Sequence, residues 1–210
     1  MKLKTILSLS LVTLTLAYGL ASCSKPSGPM TEAEKIESAQ TFLTGDVVLS
    51  ARAFMGEKDL TGLETGAPMK YHFEWKAGNT LHLKLDGFSV GKMPLQLFFE
   101  ADLKPVPENQ WEKKEMPGDG WIKLYADNGV SSFTPISPNM PKLPNGTGGK
   151  VTMFVNAETH EIQFNLDFNV MDIKTEVYRQ KVDPSRVKNF EAEKKKFEED
   201  YAAWKKAQGL

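Results

Sequence analysis

The stretch YHFEWKAGNTLHLKLD, residues 71–86, predicts a β-hairpin. Apolar and polar residues alternate on both sides of residues 77–79, which is the pattern of two strands that each bury one face. A three-residue loop sets Trp75 opposite Leu81 and Phe73 opposite Leu83. A two-residue loop would set apolar residues opposite polar ones, so we expect the longer loop.

Apolar residues recur with the same period of two along most of the chain after Asp46. We predict strands at 47–54, 95–103, 151–155, 162–170 and 173–178, with a bulge at 170–171, and a second hairpin in which a turn at 127–129 joins strands at 121–125 and 130–133. The fold class that we predict is mainly β (α+β), an antiparallel up-and-down β-barrel or half-open barrel of about eight to ten strands. A short N-terminal helix and a longer C-terminal helix flank the strands.

Two segments carry helix signals. Thr31 and Glu34 have the spacing of a capping box, and we expect a short helix that ends near Gly45. Asp183 and Pro184 predict the start of a longer helix, 184–208, with Asp183 as its N-cap. Its apolar stripe consists of Val187, Phe190, Phe197, Tyr201 and Trp204, and Lys194 is the one polar residue on it. The stripe either docks on the strands or binds a partner or a membrane surface.

The first 22 residues predict a signal peptide. Lys2 and Lys4 precede an apolar stretch at residues 6–16, and small residues then lead to Cys23. Leu20-Ala21-Ser22-Cys23 resembles a bacterial lipobox, which implies that Cys23 is acylated. The alternative is an ordinary secreted protein with a chance cysteine at the cleavage site.

The predicted anchor also sets the domain plan. We expect a signal peptide at 1–22, a lipidated tether at 23–30, and a single β-rich domain at 31–210. Acyl chains on Cys23 would hold the protein on the membrane. Ser24 follows the cysteine and residues 24–29 contain no acid, which resembles an outer-membrane lipoprotein that faces the periplasm rather than the cell surface.

Composition excludes several classes of site. Cys23 is the only cysteine, so the domain has no intramolecular disulfide and no cysteine-based metal site. With 26 basic and 27 acidic residues, the chain lacks the basic excess that is typical of nucleic-acid binding.

Strands followed by a C-terminal helix, behind a lipobox, resemble the calycin-like lipoproteins of Bacteroidetes over roughly residues 45–205. The resemblance implies a barrel whose interior holds a small ligand. The side chains that we expect to line this interior are those of the cleanest alternating strands: Tyr71, Phe73, Trp75, Leu81, Leu83, Phe164, Leu166 and Phe168. Our leading prediction is a non-enzymatic, lipid-anchored envelope protein that binds an apolar or amphipathic small molecule.

Two other classes of function stay open. One is an envelope interaction module without a ligand cavity, which would contact a partner through the C-terminal helix and the loop that carries Trp111. The other is a hydrolase or zinc site on the outer sheet face at His72, Glu74 and His82. Because the chain has no G-x-S-x-G motif and no fourth metal ligand is suggested, we predict no catalytic residues, no metal and no cofactor.

Two short motifs are read as structural. Prolines 135, 138, 141 and 144 recur every three residues, which is the polyproline II period, and we interpret them as a stiff loop rather than as a recognition ligand. Residues 146–150 lack the first glycine and the Ser or Thr of a phosphate-binding loop, so we expect a Gly-rich turn that enters a strand. His160 is expected to be an exposed turn residue.

Overall fold

The computed structural model describes residues 28–91, 93, 95–136 and 144–209. Its elements are α1 (Glu32–Phe42), β1 (Gly45–Met55), β2 (Lys58–Asp59), β3 (Ala67–Lys76), β4 (Thr80–Phe88), β5 (Leu95–Val106), β6 (Trp121–Pro135), β7 (Gly146–Asn156), β8 (Glu161–Asp167), β9 (Ile173–Lys181) and α2 (Ser185–Ala207). The signal peptide, Cys23, Pro138 and Pro141 lie outside the described residues.

Eight of the strands form a closed antiparallel barrel. From β3 onward each strand pairs with the next along the chain. Residues 45–51 of β1 pair with β3, and residues 51–55 pair with β9, which closes the sheet on itself. The two-residue strand β2 extends the sheet beside the end of β1. This architecture confirms the predicted fold class, and the barrel is closed rather than half-open.

The hairpin at residues 71–86 has the predicted register. Trp75 lies opposite Leu81 and Phe73 lies opposite Leu83, so the apolar side chains of both strands point into the barrel. The loop has three residues, and Gly78 and Asn79 adopt positive φ angles of 70° and 56°. Glycine and asparagine are the residues that tolerate this conformation best, which explains why the turn falls at this point.

The predicted second hairpin is wrong. Residues 121–135 form one continuous strand, β6, which pairs with β5 on one side and with β7 on the other. The register shifts between Ala126 and Gly129, as expected for a β-bulge. At the bulge, the Asn128 side chain accepts a hydrogen bond from the Asp102 N–H and donates one to the Asp102 carbonyl. The Asp-Asn-Gly signal therefore marks a bulge and not a chain reversal.

The first helix closes one end of the barrel. Ile36, Ala39 and Leu43 are buried against the core, and the Trp75 indole N–H donates to the Leu43 carbonyl at 2.9 Å. The predicted capping box is present, because the side chains of Thr31 and Glu34 accept from each other's backbone N–H groups. We call this end of the molecule the α1 end.

The second helix lies on the outside of the barrel, where it contacts β1 and β3. It begins at Ser185, one residue later than predicted, and Pro184 is the N-cap. The Asp183 carboxylate still accepts a hydrogen bond from the Ser185 N–H at 2.8 Å. The last strand begins at Ile173 as predicted, but β8 ends at Asp167 rather than at residue 170. The predicted bulge at 170–171 is wrong, because residues 168–172 connect the antiparallel strands β8 and β9 in a turn where Asn169, Met171 and Asp172 have positive φ.

Candidate functional site

The residues predicted to line the barrel interior do lie there. Seven of them have 1% or less of their surface exposed, and Trp75 is half-buried and packs on the same cluster. The set is Tyr71, Phe73, Trp75, Leu81, Leu83, Phe164, Leu166 and Phe168.

These side chains contact each other across the barrel. Tyr71 and Phe164 pack edge to face with ring centroids 5.1 Å apart, although β3 and β8 are separated by two other strands. Phe99 of β5 meets Phe168 in the same way at 5.4 Å. An eight-stranded barrel is just wide enough for its side chains to fill it or to hold one small ligand. Here large aromatic side chains from opposite walls contact each other, and contact of these residues with a ligand stays a prediction.

The two histidines on the outer sheet face each contact a different carboxylate. Glu74 lies opposite His82 as predicted, but His82 Nδ1 lies 2.7 Å from Asp102 Oδ1, and His72 Nδ1 lies 2.8 Å from Asp46 Oδ1. The Lys76 ammonium, hydrogen-bonded to Asp102, lowers the pKa of that carboxyl. In the described part of the chain, no three His, Cys, Asp or Glu side chains converge to hold a metal ion.

His160 is an exposed turn residue, as predicted. It has a φ of 56° at the tip of the hairpin between β7 and β8. Its ring stacks on Phe42 at the end of α1, with centroids 4.3 Å apart. This contact joins the hairpin tip to the helix that closes the barrel.

A cleft of about 530 Å³ lies between α2 and the barrel wall. The barrel side is formed by residues 67–70 at the start of β3 and residues 85–91 at the end of β4 and beyond it. The helix side consists of residues spaced three and four apart: Phe190, Lys194, Phe197, Glu198, Tyr201, Ala202 and Lys205. Ligand-binding clefts in proteins are commonly about 300–1,000 Å³. The cleft lies at the end of the barrel opposite to the α1 end.

Part of the cleft lining is apolar. Met69, Leu85, Phe88, Phe197 and Tyr201 all border it and are buried in the core cluster. The rings of Phe197 and Tyr201 are nearly parallel, with centroids 6.1 Å apart. Burial raises the pKa of the Tyr201 phenol, and the nearby Asp59 carboxylate adds to that shift.

The barrel holds α2 at both ends of the helix. Near its start, Arg186 forms an ion pair with Glu193 and donates to Gln180 Oε1 at 3.1 Å and to Ser50 Oγ at 3.2 Å. Near its end, Tyr201 and Trp204 pack closely against Gly62, where a Cβ atom would be 2.9 Å from the Tyr201 ring. The helix is therefore docked on the barrel, which is one of the two alternatives predicted for its apolar stripe.

Lysines border the cleft on both walls. Lys70 stands on the barrel side, with its Nζ 5.4 Å from the centroid of the Phe190 ring. Lys194 and Lys205 stand on the helix side, and the Lys205 Nζ lies 5.0 Å from the centroid of the Tyr201 ring. The two carboxylates at the cleft are Asp86, which is 3.4 Å from the Lys84 ammonium, and Glu198.

Only part of this cleft had a signal in the sequence. The interruption of the apolar stripe by Lys194 marks the point where the helix faces a polar opening instead of the core. Nothing in the sequence pattern indicated that Lys70 and residues 87–91 would form the opposite wall, because their placement depends on how the barrel closes.

The loop that carries Trp111 folds back on the outside of β6 and β7. Trp111 and Phe154 pack edge to face at 5.7 Å, beside buried Met116 and Trp121. The Trp111 Nε1 is buried and has no hydrogen-bond partner among the described residues. This loop is part of a packed cluster rather than an extended surface.

Neither described helix is apolar enough over a sufficient length to cross a bilayer. No curated protein and no solved structure gives a significant match to the chain. A scan of protein families matches residues 24–209 with a family described as a domain of unknown function, DUF4903. The match covers the whole barrel and both helices, and the chain therefore belongs to the DUF4903 family.

Proposed function

We propose that this protein is a non-enzymatic, lipid-anchored envelope protein that binds an apolar or amphipathic small molecule. The observation that carries the proposal is the cleft of about 530 Å³ between α2 and the barrel wall. Where water reaches the apolar part of its lining, covering that surface with a ligand would contribute about 25 cal/mol for each Å². Aromatic side chains in the barrel interior pack against one another, so the proposal assigns the ligand to the cleft.

The groups around the cleft favour binding over catalysis. Within the described residues, the lining holds three lysines, two carboxylates, Ser89 and the Tyr201 phenol, and no histidine. Asp86 is paired with Lys84, and Glu198 is exposed on α2. A hydrolytic site would need a nucleophile and a base within hydrogen-bond reach of each other, and no such pair borders the cleft in the described residues.

The binding test compares two neighbouring alanines of α2. Both Ala202 and Ala203 are exposed, but only Ala202 lines the cleft. Residues 24–210 would be titrated with N-phenyl-1-naphthylamine, a neutral probe whose fluorescence rises in apolar sites. We expect saturable binding that Ala202→Trp weakens by at least about tenfold and that Ala203→Trp leaves unchanged, because only the first indole fills the cleft.

The same titration can overturn the proposal. Absence of saturable binding to the unmodified chain would remove the cleft as a ligand site, and equal binding to both variants would place the probe elsewhere. Urea unfolding of both variants checks that each is folded. Native mass spectrometry of the purified chain adds an independent readout, since a co-purifying adduct would report the class of the natural ligand.

The anchor is a separate part of the proposal and has its own test. We propose acylation of Cys23 and an outer-membrane position that faces the periplasm, supported by the lipobox-like residues 20–23 and by a family match that begins at residue 24. Labelled palmitate should be incorporated into the wild-type protein and not into Cys23→Ser. A Cys23→Ser protein that still carries the label and stays in the membrane fraction would contradict this part of the proposal.

Residues 28–31, which lead into α1, and the cleft lie at opposite ends of the barrel. The described chain begins at residue 28, just before α1, whereas the cleft borders the start of β3 and the end of β4. Ten residues of β3 separate the two ends, about 30 Å of strand. An anchored molecule would therefore present the cleft away from its attachment point, toward ligands in the aqueous phase.

A further inference from the structure

We propose that the ligand of the cleft is an amphiphile with an anionic head group, and that Lys70 and Lys194 bind this head. The inference rests on the proposed function, because it assigns a charge to the molecule that the cleft would hold. Its occupant is a small molecule with an apolar tail and a carboxylate, sulfonate or phosphate head.

Lys70 and Lys194 both line the cleft. Lys70 points out from the barrel wall and holds its Nζ over the Phe190 ring at 5.4 Å. Lys194 follows Phe190 by four residues, so it lies one helical turn further along the same face of α2. The two lysines therefore stand on opposing walls at the Phe190 end of the cleft.

Neither ammonium has a carboxylate within ion-pair distance among the described residues. In the described part of the chain, Lys70 and Lys194 form no ion pair, although thirteen salt bridges occur elsewhere in it. Lys195 and Lys196, the next residues on the helix, pair with Glu199 and Asp200. Among the described residues, no ion pair would therefore compete with a bound anion for Lys70 and Lys194.

The charged side chains that line the cleft carry a net positive charge. Asp86 is compensated by Lys84, which leaves Lys70, Lys194 and Lys205 against the single carboxylate of Glu198. A cleft whose low-dielectric walls carry an excess of one sign concentrates ions of the opposite sign. Because Met69, Leu85 and Phe197 line the space beside the lysines, the complementary molecule has one anionic end and an apolar body.

The test uses two probes with the same twelve-carbon tail and opposite heads, laurate and dodecyltrimethylammonium. Each would displace N-phenyl-1-naphthylamine from the chain below its micellar concentration. We expect laurate to bind more tightly than the cation, and the difference to shrink as salt is raised, because salt screens exposed charges.

The lysines are tested with a charge-matched control. K70Q/K194Q should weaken laurate binding by about tenfold, the scale of two partly exposed charged contacts, and should weaken the neutral probe much less. K188Q/K195Q removes the same net charge at residues that do not line the cleft, and should change neither. Urea unfolding shows that each double variant is folded.

The outcomes separate this inference from the proposed function. If the neutral probe binds in the cleft but both charged probes bind equally, the anionic head is wrong and the binding function stands. If both double variants weaken laurate to the same degree, the effect is one of net charge and the two lysines are not the head site. If K205Q alone accounts for the loss, the head lies at the Tyr201 end and the assignment to Lys70 and Lys194 is overturned.

Discussion

The Gln180 side-chain amide forms the hydrogen bonds with the Ser50 backbone that a paired strand would otherwise form. The Ser50 N–H donates to Gln180 Oε1 at 2.8 Å, and Gln180 Nε2 donates to the Ser50 carbonyl at 2.9 Å. This is the pair of hydrogen bonds that two opposed backbone residues exchange in an antiparallel ladder. It occurs where β1 leaves β9, so a side-chain amide completes the seam at which the barrel closes. Arg186 of α2 donates to the same Oε1, which ties the helix to the seam.

The first prediction concerns this seam. Gln180→Ala leaves the half-buried N–H and C=O of Ser50 without partners, and we expect the free energy of unfolding to fall by about 1–3 kcal/mol. Gln163→Ala on β8 is the matched control, because that side chain forms no hydrogen bond with the described residues. Urea unfolding measures both. Equal midpoints for the two variants would show that the amide does not support the closure.

A side-chain amide also bonds the backbone at the bulge in β6. The Asn128 side chain exchanges two hydrogen bonds with the backbone of Asp102, at 3.2 and 3.1 Å, where the ladder between β5 and β6 breaks. Two of the irregular points of the sheet are therefore completed by amide side chains. In the sequence, both amides read as ordinary turn or surface residues.

The second prediction tests the two glycines beside this bulge. Gly129 and Gly149 lie opposite each other against the Phe99 ring, and a Cβ at Gly149 would be 2.6 Å from Phe99 Cε2. Gly149→Ala should destabilise the barrel by about 1–3 kcal/mol through overpacking. Phe99→Leu removes the clash, so the double variant should lose less stability than the sum of the two single changes. Additive losses in urea unfolding would contradict steric contact as the cause.

Local pattern predicted the barrel well, because its strands bury one face and expose the other. The hairpin at 71–86 has the predicted register, α2 occurs within one residue of its predicted bounds, and α1 ends at Phe42, three residues before the predicted end. The predicted hairpin at residues 121–133 was wrong, because Asp-Asn-Gly at 127–129 is equally suited to a tight turn and to a bulge. The alternation alone could not distinguish the two, because the choice depends on pairing with both neighbouring strands.

The cleft could not be predicted in the same way. Its walls come from β3, the end of β4 and α2, which are far apart in the chain and meet only when the helix docks. The eight aromatic and aliphatic residues assigned to a ligand were correctly placed in the interior. Burial alone does not distinguish a lining from a core, and their contacts across the barrel depend on its diameter.

The third prediction uses the buried Tyr71. Burial raises the pKa of its phenol well above 10, against a smaller lowering by the neighbouring Thr175 hydroxyl, and the Tyr71 hydroxyl donates to the Met69 sulfur at 3.2 Å. Above about pH 10 an unfolded tyrosine loses its proton while the buried one keeps it, so stability falls as the pH rises, by about 1.4 kcal/mol per pH unit. Tyr71→Phe should remove this part of the alkaline decline and cost less than about 1 kcal/mol at pH 7.

Urea unfolding from pH 8 to 11.5 measures the effect as the difference between wild type and variant, which cancels the titration of the lysines. Tyr125→Phe is the control, because Tyr125 is exposed. Parallel curves for wild type and Tyr71→Phe would show that the phenol is reached by water.

The last prediction concerns the ion pair between Lys35 of α1 and Glu108, which joins the helix to the loop after β5. The Lys35 side chain is 10% exposed and that of Glu108 is 40% exposed. The two truncations should therefore be unequal. Glu108→Ala leaves a buried ammonium without a partner and should cost about 1–3 kcal/mol, whereas Lys35→Met keeps the apolar stem, leaves a carboxylate that water can reach, and should cost less than about 1 kcal/mol.

The pair also predicts an acid dependence. The hydrogen bond from Lys35 lowers the pKa of Glu108 below its usual value of 4.5. The stabilisation is therefore complete above pH 4.5 and is lost as the pH falls toward the folded-state pKa, because the unfolded carboxyl binds its proton first. Unfolding of wild type and Lys35→Met between pH 7 and 3 measures it, and the two curves should converge in acid. A constant gap across that range would show that the ammonium acts through packing and not through the charge of Glu108.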